Sequence, residues 1–255
     1  MFWKRSARPL SVHYGACSHV GQVRSENQDA YGVFPEAAPG GDPVPCVFVV
    51  ADGMGGHEDG GQASRVTVEI VGRLSLSEQE KPIEVHLARA ISAANERVYT
   101  LAHGGPLPKK MGTTCSVLAL IGGEAWVAHV GDSRVYRVNQ NGRIAQLTQD
   151  HTLVGELQRE GVLTEAEAER HPQRHALVRA VGVEPGVEVD VERVDPLQAG
   201  DRFVLCSDGL ARVADEEIRD IVRGEAPQAA AERLVYLANE RGGHDNVTVL
   251  VVEVR

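Results

Sequence analysis

The 255 residues contain four cysteines, and none of them forms a Cys-x-x-Cys pair. Cys17, Cys46, Cys115 and Cys206 stand alone in apolar segments, which is typical of buried thiols in a reducing compartment. We therefore expect neither a disulfide framework nor a zinc site. We also expect the protein to be cytoplasmic.

Long apolar runs are missing as well. Glycines and Glu124 interrupt the longest one, so no segment reaches the roughly 18 residues that cross a bilayer. Residues 1–8 have no apolar core of a secretory signal, and we expect residues 1–10 to form a loose arm. No linker divides residues 11–255, which are expected to fold as a single domain.

Positive charge is scarce. The chain has 26 Lys and Arg against 36 Asp and Glu, a formal net charge of −10, which disfavours a nucleic-acid-binding surface. The glycines between Gly53 and Gly56 match neither G-x-x-x-x-G-K-[ST] nor G-x-G-x-x-G. A nucleotide-binding loop is therefore not predicted.

Three apolar segments that resemble strands each end at an Asp beside a glycine. They are residues 47–52, 126–132 and 203–208, which end at Asp52, Asp132 and Asp208. Two more acids, Asp29 and Asp245, precede predicted strands. If the sheets bring these ends together, five carboxylates meet at one place.

Carboxylates that lie close together either bind protons or bind cations. Because the expected donors are all oxygens, the pattern favours hard ions such as Mg²⁺, Mn²⁺ or Ca²⁺. For a single Asp-Gly pair, capping of a turn is the simpler interpretation. Repetition at several strand ends favours the metal site.

The order of elements predicts an α+β fold. Short strands and turns occupy residues 12–51, and helices are predicted at about 61–74 and 82–102. The remaining predicted elements are strands at 113–121, 125–130 and 134–138, a polar flap at about 150–179 with helices at 153–159 and 164–170, strands at 187–193 and 202–206, helices at 215–223 and 227–241, and a strand at 247–254. Runs of strands and pairs of helices, without regular βαβ alternation, favour two face-to-face sheets covered by helices.

Seven ordered motifs resemble those of the metal-dependent serine/threonine protein phosphatases of type 2C, the PPM family, in its compact bacterial branch. The motifs are GQVRSENQDA at 21–30, ADGMGGH at 51–57, MGTT at 111–114, VGDSRVY at 130–136, LTQDH at 147–151, CSDGL at 206–210 and GGHDNVT at 242–248. The resemblance covers nearly the whole chain.

This resemblance implies a four-layer αββα sandwich, with two antiparallel sheets face to face and helix pairs outside. It also implies two Mn²⁺ or Mg²⁺ ions, with a weaker third site, and hydrolysis of phosphoserine and phosphothreonine in proteins. A water bridging the two ions would attack phosphorus directly, without a phosphoenzyme. The implied partners are phosphorylated proteins and a serine/threonine kinase system, with no nucleic acid and no membrane span, and we expect a monomer.

The resemblance also gives each motif residue a role. Asp52 would bridge the two ions, and the Gly53 carbonyl would bind one of them. Asp208 and Asp245 would bind one ion, and Asp29 would bind the other or hold a water on it. Asp132 with Asp208 would form the third site; the alternative for Asp132 is capping of the Gly131 turn. Arg24 would bind the substrate phosphate; the alternative for it is a surface ion pair with Glu26. Asn246 would orient Asp245 or close the turn.

Histidines close to the motifs are expected to be hydrogen-bonding neighbours rather than proton donors. These are His57, His151 and His244, while His171 and His175 are assigned to the flap. Met54 stands where eukaryotic relatives carry a histidine proposed as a proton donor, so no such donor is expected here.

Two other functions remain open at this point. One is a non-catalytic binding module that keeps the sandwich but not the chemistry. The other is a hydrolase of small phosphoesters on the same metal centre.

Overall fold

The structure, a computed structural model, describes residues 11–35, 42–43, 46–56, 58–75, 82–107, 109–121, 123–194 and 196–255. The expected N-terminal arm and His57 lie outside these ranges. Six α-helices are present within them: α1 (Asp59–Ser75), α2 (Ile83–His103), α3 (Leu153–Arg159), α4 (Glu165–Arg170), α5 (Asp215–Gly224) and α6 (Pro227–Glu240).

The strands of the same ranges form two sheets in which every pair is antiparallel. They are β1 (Ser11–His19), β2 (Asp29–Phe34), β3 (Asp42–Pro43), β4 (Cys46–Gly55), β5 (Met111–Thr113), β6 (Cys115–Ile121), β7 (Glu124–Val130), β8 (Arg134–Val138), β9 (Ile144–Gln146), β10 (Asp190–Val194), β11 (Arg202–Cys206) and β12 (Val247–Val254). One sheet has the order β3-β1-β12-β11-β8-β9, and the other has the order β10-β7-β6-β4-β2, with β5 paired to β4. The predicted α+β sandwich is confirmed.

Successive side chains of the central strands point to opposite faces of their sheet, and they contribute to three apolar clusters. On β4, Phe48 and Val50 point into the cluster between the sheets, whereas Val47, Val49 and Ala51 point to the cluster shared with α1 and α2. The third cluster joins β11 and β12 to α5 and α6. Burying a side chain such as Phe48 stabilises the fold by about 1.5–3 kcal/mol. Apolar packing therefore lies between the two sheets and between each sheet and a pair of helices.

Two predicted strands differ from the observed ones. The strand expected at 113–121 is divided at Thr114 into β5 and β6, because Thr114 turns its main chain towards β4 and donates its N–H to the Asp52 carbonyl at 2.9 Å. The strand expected at 187–193 begins only at Asp190, since Val187 and Val189 pack against the helix-side cluster without ladder pairing. The predicted bounds of β8, β11 and β12 agree with the structure.

The segment 150–179 starts and ends beside the sandwich. The His151 N–H donates to the Gly131 carbonyl at 2.8 Å, and the Val178 N–H donates to the His151 carbonyl at 2.9 Å. Between these ends lie α3 and α4; Thr164, expected as the first residue of α4, instead caps it in a capping box with Glu167. His151 therefore joins both ends of the segment to the turn that carries Asp132.

In the described part of the chain, no helix is both long and apolar enough to cross a bilayer. Even the 21-residue α2 carries charged residues along its length.

Candidate metal centre

The sheet register brings the predicted acids to one end of the sandwich. Asp29 on β2 lies directly opposite Asp52 on β4. A cleft of about 1030 Å³ is lined by four of the predicted acids, namely Asp52, Asp132, Asp208 and Asp245. Asp29 is buried beside it. All five carboxylates that the strand-end pattern singled out therefore lie around one site.

Asp52 is fixed by its main chain. Its N–H donates to Thr114 Oγ1 at 2.9 Å, and its carbonyl accepts from the Thr113 hydroxyl at 2.8 Å. The next residue must be glycine, because a Cβ at Gly53 would lie 2.1 Å from the Gly60 carbonyl oxygen. These contacts hold the Asp52 carboxylate at a defined place on the cleft floor.

Asp29 contributes a buried carboxylate that its surroundings only half satisfy. The Ser207 hydroxyl donates to its Oδ2 at 2.7 Å, while its Oδ1 is buried without a hydrogen-bond partner. Burial raises the pKa of Asp29 to about 6, although hydrogen bonds from Ser207 and Thr248 oppose the shift. An unpaired buried carboxylate oxygen is a position that a cation would satisfy.

Two neighbouring carboxyl groups are perturbed in the same direction. Burial, and then the carboxylates of Asp29 and Asp208, raise the pKa of Asp52 well above its ordinary value. Burial, and then Asp208, raise the pKa of Asp132 to about 7. The site therefore favours added positive charge, in the form of protons or metal ions.

Arg24 meets an acid of the cleft rather than Glu26. Its Nη2 lies 2.7 Å from Asp245 Oδ2, and this hydrogen bond is the main reason that the pKa of Arg24 is raised. The Arg24 side chain is 56% exposed, so its guanidinium is accessible from the cleft. The predicted binding of the substrate phosphate by Arg24 stays a prediction, and the alternative ion pair with Glu26 is replaced by the pair with Asp245.

Asn246 lies beneath the loop that carries Arg24. Its Oδ1 accepts from the Gln28 N–H at 2.8 Å, and its Nδ2 donates to the carbonyls of Val20 and Glu26 at 2.9 and 2.8 Å. The contact of Asn246 with Asp245 comes from its main chain, whose N–H donates to Asp245 Oδ1 at 2.8 Å. The side chain thus positions the Arg24 loop, a role that the sequence did not indicate.

The histidines differ from one another. His151 is buried, accepts from the Gly131 N–H at 3.1 Å through Nδ1 and hydrogen-bonds Asp190, as expected of a neighbour. His244 is exposed and lines the cleft. His175, expected only as a flap residue, reaches the site: its Nδ1 lies 3.7 Å from Asp208 Oδ2, and that carboxylate raises the pKa of His175.

The carboxylates of the cleft offer a set of oxygen donors for metal ions. Among the described residues, no three Asp, Glu, His or Cys side chains yet converge as a complete set of ligands. In this structure the Asp245 carboxylate is paired with Arg24, and Asp29 Oδ2 accepts from the Ser207 hydroxyl. The all-oxygen donors and the orphaned Asp29 Oδ1 fit a hard divalent cation.

Comparison with known proteins identifies the family of the chain. A family model described as protein phosphatase 2C matches residues 18–244. The chain belongs to the protein phosphatase 2C family. A serine/threonine phosphatase (stp) of Listeria welshimeri is 39% identical to this 2C-family chain over 240 residues, which cover 91% of the chain and 92% of the relative.

Two solved structures extend the likeness to the fold of this 2C-family chain. A serine/threonine phosphatase of S. agalactiae has a TM-score of 0.84 at 35% identity and covers 95% of this chain and 99% of its own. The catalytic domain of the serine threonine protein phosphatase PstP, in complex with two manganese ions, has a TM-score of 0.80 at 34% identity and covers 96% and 99% of the two chains.

Proposed function

We propose that this chain is a Mn²⁺- or Mg²⁺-dependent phosphatase of phosphoserine and phosphothreonine in proteins. The observation that carries the proposal is the convergence of Asp52, Asp132, Asp208 and Asp245 on one cleft, with Asp29 buried beside it. Membership of the protein phosphatase 2C family supports the same chemistry.

Asp52 would bridge two cations, with the Gly53 carbonyl as a further ligand. Asp208 and Asp245 would complete the site of one ion and Asp29 that of the other, while Asp132 with Asp208 would hold a weaker third ion. When bound, the ions neutralise charge at the phosphate and make the attacking water more acidic.

The chain's own groups bind and orient the substrate. Arg24 would leave Asp245 and bind the phosphate through its guanidinium, whose fork matches phosphate oxygens. Asn246 fixes the loop that carries Arg24, and so sets the place of the phosphate relative to Asp52. The oxygen of a water molecule forms a bond to phosphorus. At the same time, the bond between phosphorus and the serine or threonine oxygen breaks.

No side chain of the enzyme is phosphorylated in this scheme. Met54 lines the cleft next to Gly53, and its thioether has no proton to donate. The leaving oxygen would therefore take its proton from solvent, which reaches the open cleft.

Two substitutions test the proposal. Asp52→Asn and Asp208→Asn should each lower kcat/KM by about a hundredfold or more on p-nitrophenyl phosphate and on a phosphothreonine peptide, because a ligand charge is lost. Asp220→Asn, on the exposed outer surface, is the matched control. Circular dichroism of each variant would check the fold, and full turnover by both variants would overturn the proposal.

The alternative functions are separated by two further measurements. Titration calorimetry with Mn²⁺ alone should detect at least millimolar affinity that Asp52→Asn weakens; a non-catalytic module would show no such site. Rates on phosphopeptides and on phosphorylated metabolites, measured side by side, separate a protein phosphatase from a hydrolase of small phosphoesters. We further propose that the protein acts in the cytoplasm as a monomer and reverses a serine/threonine kinase.

A further inference from the structure

The cleft does not end at the carboxylates. It continues over an apolar rim whose members include Met54, Val178 and Val183. Val178 is 44% exposed and Val183 is 47% exposed, although both are aliphatic. Exposed aliphatic side chains beside a cluster of acids need an explanation beyond packing.

Met54 and Val183 meet above a glycine. A Cβ at Gly112 would lie 2.8 Å from Met54 Cε and 2.9 Å from Val183 Cγ2. The two side chains therefore converge on the same spot, although 129 positions separate them in the sequence. Together they form an apolar surface, which we name the Met54–Val183 patch. Met54 lies on β4, two residues after Asp52.

The patch is held in place by the fold. Val181 exchanges main-chain hydrogen bonds with Thr113 at 3.0 and 2.8 Å. Asn95 of α2, 1% exposed, accepts from the Gly182 N–H at 2.7 Å and donates to the Glu184 carbonyl at 3.0 Å. Val183 is thus fixed from both sides, and a preformed surface costs a ligand less ordering entropy.

The position of the patch identifies its occupant. A phosphate placed between Arg24 and Asp52 puts the rest of the substrate in the same cleft, because both residues line it. In a polypeptide, the neighbouring residue begins about 3.8 Å away along the chain. A side chain next to the phosphorylated residue is therefore the group within reach of the patch.

We propose that Met54 and Val183 determine specificity by binding an apolar side chain adjacent to the phosphothreonine or phosphoserine of the substrate. This inference rests on the proposed phosphatase function. Removing an aliphatic side chain from water over the patch favours apolar neighbours, whereas an amide or a charge there loses hydration without gaining a partner.

Two phosphothreonine peptides test the proposal. They differ only in the residues on either side of phosphothreonine, which are leucine in one and asparagine, of similar size, in the other. The native enzyme loaded with Mn²⁺ should prefer the leucine peptide by about tenfold in kcat/KM.

Val183→Asp should reduce this ratio to near one, and Met54→Gln should reduce it in part. Val162→Asp is the matched control, since Val162 is also an exposed valine, at 61%, and does not line the cleft. Retention of the ratio in Val183→Asp, or its equal loss in Val162→Asp, would overturn the proposal.

The outcomes also separate the specificity from the function. Equal rates of the native enzyme on both peptides would overturn the proposed specificity of the patch, but would leave the proposed phosphatase activity unaffected. Turnover of neither peptide nor p-nitrophenyl phosphate would overturn the phosphatase, and the patch with it.

Discussion

Arg24 Nη2 lies 2.7 Å from Asp245 Oδ2, so the residue proposed to bind phosphate is paired with a residue proposed to bind a cation. A divalent ion that uses Asp245 must compete with this guanidinium. Cation and phosphate binding are therefore expected to be linked, since displacement of Arg24 by the ion frees it for the phosphate.

Arg24→Gln should tighten Mn²⁺ binding to the chain without substrate. An exposed ion pair is worth about 0.2–1 kcal/mol, which corresponds to an affinity gain of about 1.4- to fivefold. Titration calorimetry measures this gain directly, and the same variant should raise KM for phosphopeptides. Arg219→Gln, which breaks an exposed ion pair with Asp220, is the control. Unchanged or weaker Mn²⁺ binding by Arg24→Gln would contradict the competition.

Asp29→Asn should stabilise the metal-free protein. A charged Asp29 is disfavoured because its pKa is raised to about 6 by burial, a difference of about two units that corresponds to about 3 kcal/mol. In EDTA at pH 7.5, we expect Tm to rise by about 6–12 °C. Added Mn²⁺ should then raise Tm less than in the native protein. A lower Tm of Asp29→Asn in EDTA would refute this expectation.

The pH dependence of that difference has a definite sign. Because the folded-state pKa of Asp29 is raised, its stabilising protonation is complete below the ordinary value of 3.8 and is lost as pH rises through about 6. The Tm advantage of Asp29→Asn in EDTA should therefore be largest above pH 6 and disappear near pH 4. Thermal scans at several pH values would measure this dependence. A Tm advantage that does not change with pH would contradict it.

Asn246→Ala should damage both stability and substrate binding. The substitution leaves the Gln28 N–H and the carbonyls of Val20 and Glu26 without their partner, at a cost of about 2–4 kcal/mol. Since these groups belong to the Arg24 loop, KM for phosphopeptides should rise more than kcat falls. Asn141→Ala, in an exposed turn, is the control; an unchanged Tm and KM in Asn246→Ala would count against the role.

His151→Phe should loosen the flap while keeping a ring in place. The variant loses the bond from the Gly131 N–H at 3.1 Å and the bond to Asp190 at 3.0 Å, which costs about 1–3 kcal/mol. Limited trypsin digestion should then cleave faster at the exposed flap arginines, such as Arg170 and Arg174. Cleavage at the native rate would show that other contacts hold the flap, and His103→Phe serves as the control on α2.

The fold and the place of the candidate site could be predicted because they depend on local patterns. Apolar strands that each end at an Asp beside a glycine indicated where Asp52, Asp132 and Asp208 would gather. Such patterns record which side of an element is buried.

Contacts between loops could not be predicted in this way. The pairing of Arg24 with Asp245 joins positions 221 residues apart, and the approach of His175 to Asp208 depends on the path of the flap. The side-chain partners of Asn246 were missed for the same reason, because main-chain groups of a distant loop leave no signature in composition or periodicity.

The hydrogen bonds of Asn95 to Gly182 and Glu184 offer a route by which substrate selectivity could differ between related proteins. Helix α2 holds the rim of the cleft through the hydrogen bonds of Asn95 to Gly182 and Glu184. The rim also packs closely on this helix, since a Cβ at Gly182 would lie 2.2 Å from Val98 Cγ1. Substitutions at Asn95 or Val98, neither of which lines the cleft, would shift the rim. Such a protein could acquire new phosphoprotein targets through its interior while its hydrolytic apparatus stays the same.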